Sequence, residues 1–246
     1  MKSEFEKMLP NEVKEAIARM PVAYMPWGAL EWHGRHLPVG LDAIKAHELC
    51  LRIARAAGGG VVFPPSFVSY NTVSFPWTFK YPVSVVHSTL WSTLKQLDAS
   101  GFRAILVITG HYPATQVVMF ITIAELFMFS HRAAVVACPE FFAAIEKGYK
   151  GDHAAKWETS ILMYLFPELV DINQLHAGER NKFSRILHDG VMGKDPVRHA
   201  SSELGKEIVD HIVEHFAELA RELARNPDKK IARRFHRAAI RKLISF

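Results

Sequence analysis

Four side chains that can bind a metal ion lie within twelve residues near the start of the sequence. They are Glu31, His33, His36 and Asp42, in the segment GALEWHGRHLPVGLD. Glu31 and His33 are two residues apart, and in an extended segment this spacing places both side chains on the same face. An imidazole beside a carboxylate suits zinc, manganese or iron. The density of these side chains in one loop therefore indicates a metal site.

Asp42 has a second interpretation, because it stands where a helix is expected to begin. Asp is among the preferred N-cap residues, and the residues after it, AIKAHELCLRIARAA, have a helical pattern closed by glycines. Asp42 is thus either a metal ligand or a helix cap.

His111 follows a second apolar run, in the segment RAILVITGHYPATQ. Ligands of open parallel sheets gather beyond the carboxyl ends of the strands, so His111 is expected at the edge where a site would lie. Pro113 is expected at the first position of the next helix, where proline is tolerated. The alternative for His111 is a histidine that only caps a loop.

A third segment, GDHAAKWETSILMYLFPELVD, carries Asp152, His153 and Glu158 near the start of a predicted helix. Glu158 precedes an apolar run and so lies at the polar start of a buried element. It is a general acid or base, a further metal ligand, or a favourable charge near a helix N-terminus.

Short apolar runs alternate with longer helical patterns along the first part of the chain. Alternation of this kind predicts a mainly parallel sheet covered by helices on both faces. The predicted strands lie within 21–29, 61–68, 103–110 and 133–140, and the helices within 43–57, 85–100, 113–129, 154–166 and 201–224. The stretch from about 176 to 200 is predicted to be a long loop. No repeat or linker divides the chain, so we expect one domain over 1–246.

The composition is 49% hydrophobic and 22% charged, which is typical of a globular protein and excludes disorder. No apolar run reaches the roughly 20 residues of a spanning helix, and the charged N-terminus is unlike a signal peptide. We therefore expect no membrane span and a cytoplasmic location. Cys50 and Cys138 are in no CxxC motif, so we expect buried thiols.

The basic excess behind the net charge of +5 is concentrated in a tail at 228–246. Such a tail could bind nucleic acid or anionic lipid. However, Ile231, Phe235, Ala239 and Leu243 recur at every fourth position, which is typical of an amphipathic helix that packs one face. We favour the amphipathic helix over nucleic-acid binding.

Together the three segments resemble the creatininase family, the creatinine amidohydrolases and their relatives. The family pattern runs lPvGsxExHGxHLPxxxD, then a strand ending in NGHxxN, then HAGxxETS followed by P-E-V. Here these read MPWGALEWHGRHLPVGLD, ITGHYPAT and DHAAKWETSILMYLFPELV, in the same order and over most of 21–171. The resemblance implies a three-layer α/β/α sandwich, often in hexamers, with a two-metal site that hydrolyses C–N bonds other than peptide bonds.

The resemblance also implies roles for individual residues. Glu31 and His111 would bind one metal, His33 the other, and Asp42 would bridge both. His36 matches the second histidine of the motif and would lie behind the ligands or face the substrate.

Several positions depart from the family pattern. Creatininase supplies a glutamate ligand two residues after the histidine that matches His111, and this chain has Pro113 there. Either Glu158 or water then completes the second position, or only one metal binds tightly. Thr109, Ala114 and Lys156 also replace family residues, and these changes argue against creatinine as the substrate.

We therefore predict a metal-dependent hydrolase that acts on cyclic amides, formamides or related small molecules. Glu158 or His153 would carry a proton to the leaving nitrogen. Phe75, Trp77 and Phe79 would either wall the pocket or pack in the core. The alternative is a catalytically inactive member of the family that binds a small molecule or a partner.

Overall fold

The strands of the sheet are short, parallel and completely buried. The computed structural model describes residues 2–175 and 182–244, and its strands are β1 (Val22–Trp27), β2 (Val61–Val62), β3 (Ala104–Thr109) and β4 (Ala134–Pro139). Their order is β2-β1-β3-β4 and each pair is parallel. Burial on both faces explains why these segments are continuous apolar runs rather than alternating ones.

Nine α-helices lie within the described residues. They are α1 (Pro10–Arg19), α2 (Leu41–Ala57), α3 (Val83–Ala99), α4 (Ala114–Ser130), α5 (Lys156–Leu165), α6 (Lys182–Asp189), α7 (Pro196–His199), α8 (Ser202–Arg225) and α9 (Lys229–Ile244). Short 3-10 turns at 5–7, 140–143, 145–147, 167–169 and 172–174 complete the connections.

The crossover helices lie on opposite faces of the sheet. The chain passes through α2 from β1 to β2 at one edge, then through α3 and α4 in the opposite direction to β3 and β4. Right-handed crossovers therefore place α2 on one face and α3 and α4 on the other. α5 and α8 pack with α2, while α3 packs with α4. This arrangement confirms the predicted three-layer α/β/α fold.

The strand order reverses between β1 and β3. From β1 the chain continues to β2 at one edge of the sheet, and from β3 it continues to β4 at the other edge. Trp27 at the end of β1 pairs with Thr109 at the end of β3, so the two strands end at the same level. Ligands of open α/β sheets bind at such a reversal, beyond the carboxyl ends of the strands. The fold thus places the loops after β1 and β3 side by side.

Three boundaries differ from the predictions. β2 has only two residues, because Pro64 and Pro65 follow it closely and proline cannot donate to a strand ladder. Pro113 directly precedes α4 instead of opening it. The prediction of a loop at about 176–200 is wrong where α6 and α7 form. In α7, Asp195 accepts the Val197 N–H and Pro196 opens the helix. Residues 176–181 lie outside the described part of the chain.

α9 covers the exposed edge of the sheet. It packs against β4 and α4, with Ile231 and Phe235 partly buried and Ala239 buried. His236 is also buried, and its Nε2 atom accepts the Ala137 N–H of β4 at 3.0 Å. These contacts confirm the amphipathic helix, although the side chain at 243 lies outside those described. Covering an edge strand removes a site for unwanted strand pairing.

Cys50 and Cys138 are free and buried, as expected, and burial raises the pKa of both thiols. Across residues 2–175 and 182–244, no helix combines the length and apolar character that crossing a membrane requires.

Candidate metal centre

Five side chains singled out in the sequence meet at the reversal between β1 and β3. Each is almost completely buried: Glu31, His33, Asp42, His111 and Glu158. The first two lie in the loop after β1, Asp42 and Glu158 lie in the first turns of α2 and α5, and His111 follows β3. The chain thus brings three distant segments to one point.

Two glycines allow α2 to approach the ends of the strands. A Cβ atom at Gly28 would lie 2.2 Å from the Ala43 nitrogen, and one at Gly110 would lie 2.2 Å from the Asp42 carbonyl oxygen. Only residues without a Cβ atom fit at these positions without a shift of the backbone. The first turn of α2 is therefore fixed against both β1 and β3.

Asp42 does not cap α2, so that alternative is wrong. The helix begins at Leu41 after Gly40, and the Asp42 side chain faces the two histidines instead. Its Oδ1 atom lies 3.0 Å from His33 Nε2, and its Oδ2 atom lies 3.1 Å from His111 Nδ1.

The other two carboxylates, Glu31 and Glu158, each lie close to one of the two histidines. Glu31 Oε2 lies 3.0 Å from His111 Nδ1, and Glu158 Oε2 lies 3.7 Å from His33 Nε2. Two groups of these side chains share Asp42, and in each group the ligand atoms are close enough to hold one cation. Glu31 and His33 form a third such group with His153.

Backbone carbonyls orient both rings. The Glu31 carbonyl lies 3.0 Å from His33 Nδ1, and the Tyr70 carbonyl lies 3.1 Å from His111 Nε2. Each of these nitrogens donates to its carbonyl, which turns the other nitrogen towards the carboxylates. Carbonyls behind metal-binding histidines have this role in many proteins.

The carboxylates of the centre raise the pKa of both histidines. Burial lowers the pKa of His33, but the charges of Asp42, Glu158 and Glu31 outweigh it and raise the pKa to about 9. In the same way Asp42 and Glu31 raise the pKa of His111 to about 10. The centre therefore attracts positive charge, and protons and divalent cations compete for it.

His153 and Asp152 border the same centre. The His153 ring lies 4.4 Å from the His33 ring, and its Nε2 atom donates to the Trp32 carbonyl at 2.8 Å. Burial lowers the pKa of His153, so the ring is neutral. Asp152 accepts the N–H groups of Trp157 and Glu158, and burial with the charge of Glu158 raises its pKa to about 7.

Lys45 is the residue that sequence reasoning missed. It lies one helical turn after Asp42 on α2 and is completely buried, with its ammonium 2.6 Å from Glu158 Oε1. Burial lowers the pKa of Lys45, but Glu140 and Glu158 outweigh it and raise the pKa. The three-residue spacing from Asp42 was the available signal, since residues three apart share a helix face.

A cavity of about 440 Å³ opens over the centre. The predicted aromatic wall does not line it: Trp77 and Phe79 are exposed, and Phe75 stacks on Trp32. His36 is also outside the cavity and bonds to Thr159 Oγ1 at 3.0 Å. The lining residues are Glu31, Asp42, Asn71, Val73, Gly110, His111, Tyr112, Pro113, Phe141, Gly151, Asp152, His153, Glu158 and Met192.

The fold and these side chains define an α/β protein with adjoining groups of side chains that can bind a metal ion, at the point where the strand order reverses. The profile of the creatininase family, described as creatinine amidohydrolase, matches residues 6–220. The chain belongs to the creatininase family, a class of enzymes that act on C–N bonds other than peptide bonds.

Individual proteins are similar to this chain at low identity. Creatinine amidohydrolase of Pseudomonas putida is 24% identical over 181 residues, which are 63% of this chain and 68% of that protein. A solved manganese creatininase shares 20% identity with a TM-score of 0.75, over 91% of this chain and 99% of its own. A zinc–zinc form of a creatininase mutant shares 23% identity with a TM-score of 0.73, over the same 91% and 99%. These similarities show the shared fold.

Proposed function

We propose that this protein is a metal-dependent amidohydrolase that cleaves a non-peptide C–N bond of a small molecule. One observation carries the proposal: the Asp42 carboxylate lies between two buried imidazoles, 3.0 Å from His33 Nε2 and 3.1 Å from His111 Nδ1. A carboxylate shared in this way suits two cations held side by side, and paired cations are a recurring device of hydrolases.

The side chains present fit divalent cations. His33 Nε2 is buried and has no hydrogen-bond partner in the part of the chain that the structure describes, although Asp42 Oδ1 is 3.0 Å away. Two ligand atoms that are close without a hydrogen bond are suited to one shared cation. Imidazole nitrogens and carboxylate oxygens suit zinc, manganese and iron.

The two groups of side chains divide into two cation positions. We assign Glu31, Asp42 and His111 to the first position, and His33, Asp42 and Glu158 to the second. Glu158 thereby takes the place of the glutamate that Pro113 replaces. A divalent cation bound here supplies Lewis acidity, which lowers the pKa of a water molecule and polarises a substrate carbonyl.

His153 is the side chain we assign to proton transfer. Its Nε2–H is fixed on the Trp32 carbonyl, so Nδ1 is the ring atom that can take or give a proton. The ring is neutral and lines the cavity. When the C–N bond breaks, the leaving nitrogen needs a proton, and His153 can deliver one taken from the attacking water.

The cavity indicates a small, largely apolar substrate. A volume of about 440 Å³ is at the lower end for ligand pockets. Val73, Pro113, Phe141 and Met192 give much of the wall apolar character, and Asn71 adds a polar group. We therefore propose cyclic amides or formamides as the substrate class.

The test is hydrolysis of a panel of lactams and formamides by three preparations: chelator-treated protein, the same protein with Mn²⁺ or Zn²⁺ restored, and Asp42→Asn. We expect turnover only in the cation-restored wild type, since Asp42→Asn removes the charge that both positions share. The matched control is Asp210→Asn, an exposed carboxylate on α8, which should keep wild-type turnover. Cation binding without turnover of any amide would favour a catalytically inactive member of the family.

A further inference from the structure

Lys45 places a permanent positive charge inside the centre. Its side chain is fully buried and its ammonium donates to Glu158 Oε1 at 2.6 Å and to the Tyr112 hydroxyl at 2.5 Å. The same ammonium lies 3.2 Å from Glu140 Oε1, and Tyr112 donates to that carboxylate as well. Burying an ammonium costs several kcal/mol unless partners compensate, and here two carboxylates and a hydroxyl do so.

Glu158 is therefore divided between Lys45 and the second cation position. Its Oε1 atom is bound by Lys45, while its Oε2 atom accepts the Ala154 N–H at 2.8 Å and faces His33 Nε2 at 3.7 Å. A cation at the second position has to share this carboxylate with an ammonium already bound to it.

The first position has no such competitor. Among the described residues, Glu31 and Asp42 form ion pairs with histidines, and no Lys or Arg side chain is paired with either carboxylate. The two positions thus have similar donor atoms and unequal surroundings. Because buried charges are weakly screened, the ammonium acts strongly on a cation held by the same carboxylate.

We propose that Lys45 weakens cation binding at the His33, Asp42 and Glu158 position, so that the Glu31, Asp42 and His111 position fills first and the second fills only at higher cation concentration. This inference rests on the proposed metal-dependent function. Lys45 is a positioning residue: it acts on the centre through Glu158 and does not itself line the cavity.

The experiment is isothermal titration of chelator-treated protein with Mn²⁺, with bound cation counted after dialysis. Wild type should show a tight event and a weaker one separated by at least about tenfold in Kd, a gap of roughly 1.4 kcal/mol. In Lys45→Met the weaker event should tighten by about tenfold or more, while the tight event changes by less than about threefold. The ammonium binds Glu158 directly, whereas its charge reaches the first position only over a longer distance, through Asp42.

Two further variants keep the test decisive, since Lys45→Met leaves Glu140 buried without its cation. Lys45→Met/Glu140→Gln removes both charges and should show the same tightening. Glu140→Gln keeps Lys45 on Glu158 and should leave the weaker event weak. Unchanged or weaker second binding in the double variant would overturn the inference and leave Lys45 as a partner of Glu140 alone. Absence of any Mn²⁺ binding to wild type would instead contradict the proposed function.

Discussion

Asp42 is the residue on which the centre depends, because each of its carboxylate oxygens lies about 3 Å from a different imidazole. Glu31 and Glu158 each add one carboxylate to one side of this arrangement. The charge of Asp42 also dominates the upward shift in the pKa of His33. Loss of Asp42 should therefore affect both cation positions, whereas loss of an outer carboxylate should affect one.

Substitutions of Glu158 and of His153 should have different effects, because we assign Glu158 as a cation ligand and His153 as the proton carrier. Glu158→Gln should abolish the weaker of the two cation-binding events and leave the tight one, because the first position does not use Glu158. His153→Gln should keep both events but lower kcat by at least about 100-fold, a usual contribution of acid–base catalysis. Cation titration and steady-state kinetics on both variants check this. Loss of cation binding in His153→Gln would instead make His153 a ligand.

Residue types and spacing in the sequence identified the side chains that meet here. Glu31, His33, Asp42 and His111 could be selected because metal-ligating types cluster in loops that leave strands. The pairing of Asp42 with both histidines could not be predicted, since it depends on how closely α2 approaches the strands. The burial of Lys45 could not be predicted for a similar reason: its spacing from Asp42 indicates only a shared helix face, and its partners Glu140 and Glu158 lie on other elements.

At the scale of elements, two strand ends and one helix start position the centre. β1 and β3 end at the same level, and Gly28 and Gly110 allow the first turn of α2 to contact both ends. The helix therefore cannot move relative to the sheet without moving Asp42. Strands and long helices were predictable from apolar runs, β2 included, although its short length was not. The helices α6 and α7 were not predicted, and α7 depends on a local cap by Asp195 and on Pro196.

Gly110→Ala should damage both the fold and the cation centre. The new Cβ atom would lie 2.2 Å from the Asp42 carbonyl oxygen, and overpacking of this kind costs about 1–3 kcal/mol. Urea denaturation should show this loss, and Mn²⁺ titration should show weaker binding at both positions. Gly148→Ala is the control: its φ of +84° is strained but nothing lies within 4 Å, so it should cost about 1 kcal/mol and spare cation binding.

The contact between α9 and β4 should depend on pH. Burial lowers the pKa of His236 below its usual 6.5, and the nearby Glu125 offsets this only in part. The neutral ring accepts the Ala137 N–H, and protonation removes that acceptor. Because the unfolded chain binds the proton more readily, stability present above pH 6.5 is lost as the pH falls through the lowered pKa.

His236→Gln provides the comparison, because it does not titrate in this range. Between pH 7.5 and 5.5 the free energy of unfolding should fall more in wild type than in this variant, as measured by urea denaturation. Equal decreases in the two proteins would show that His236 does not cause the pH dependence.

For the molecule as a whole, binding of cations and stability should be coupled. A cation that binds the folded chain at about 100 times its Kd adds ~2.7 kcal/mol to the free energy of unfolding. Mn²⁺ should therefore raise the Tm of wild type and leave that of Asp42→Asn nearly unchanged, as thermal denaturation can show. An equal rise in both proteins would place the stabilising cation elsewhere on the chain.

The expectations about domain organisation, cellular location and oligomeric state remain predictions from the sequence. A single domain over 1–246, a cytoplasmic location and a hexamer or other homo-oligomer follow from composition or from the family resemblance. Within the basic tail, α9 covers β4, so removing 228–246 would expose a strand edge as well as removing charge. A truncated chain therefore cannot serve as the control for nucleic-acid binding.

Anomalous X-ray diffraction from crystals of the protein loaded with Mn²⁺ or Zn²⁺ would test the two cation positions directly. We expect one strong peak among Glu31, Asp42 and His111, and a second, weaker peak among His33, Asp42 and Glu158 that grows with cation concentration. No peak beside Asp42 at saturating cation, or a peak held by other residues, would contradict the proposed cation centre.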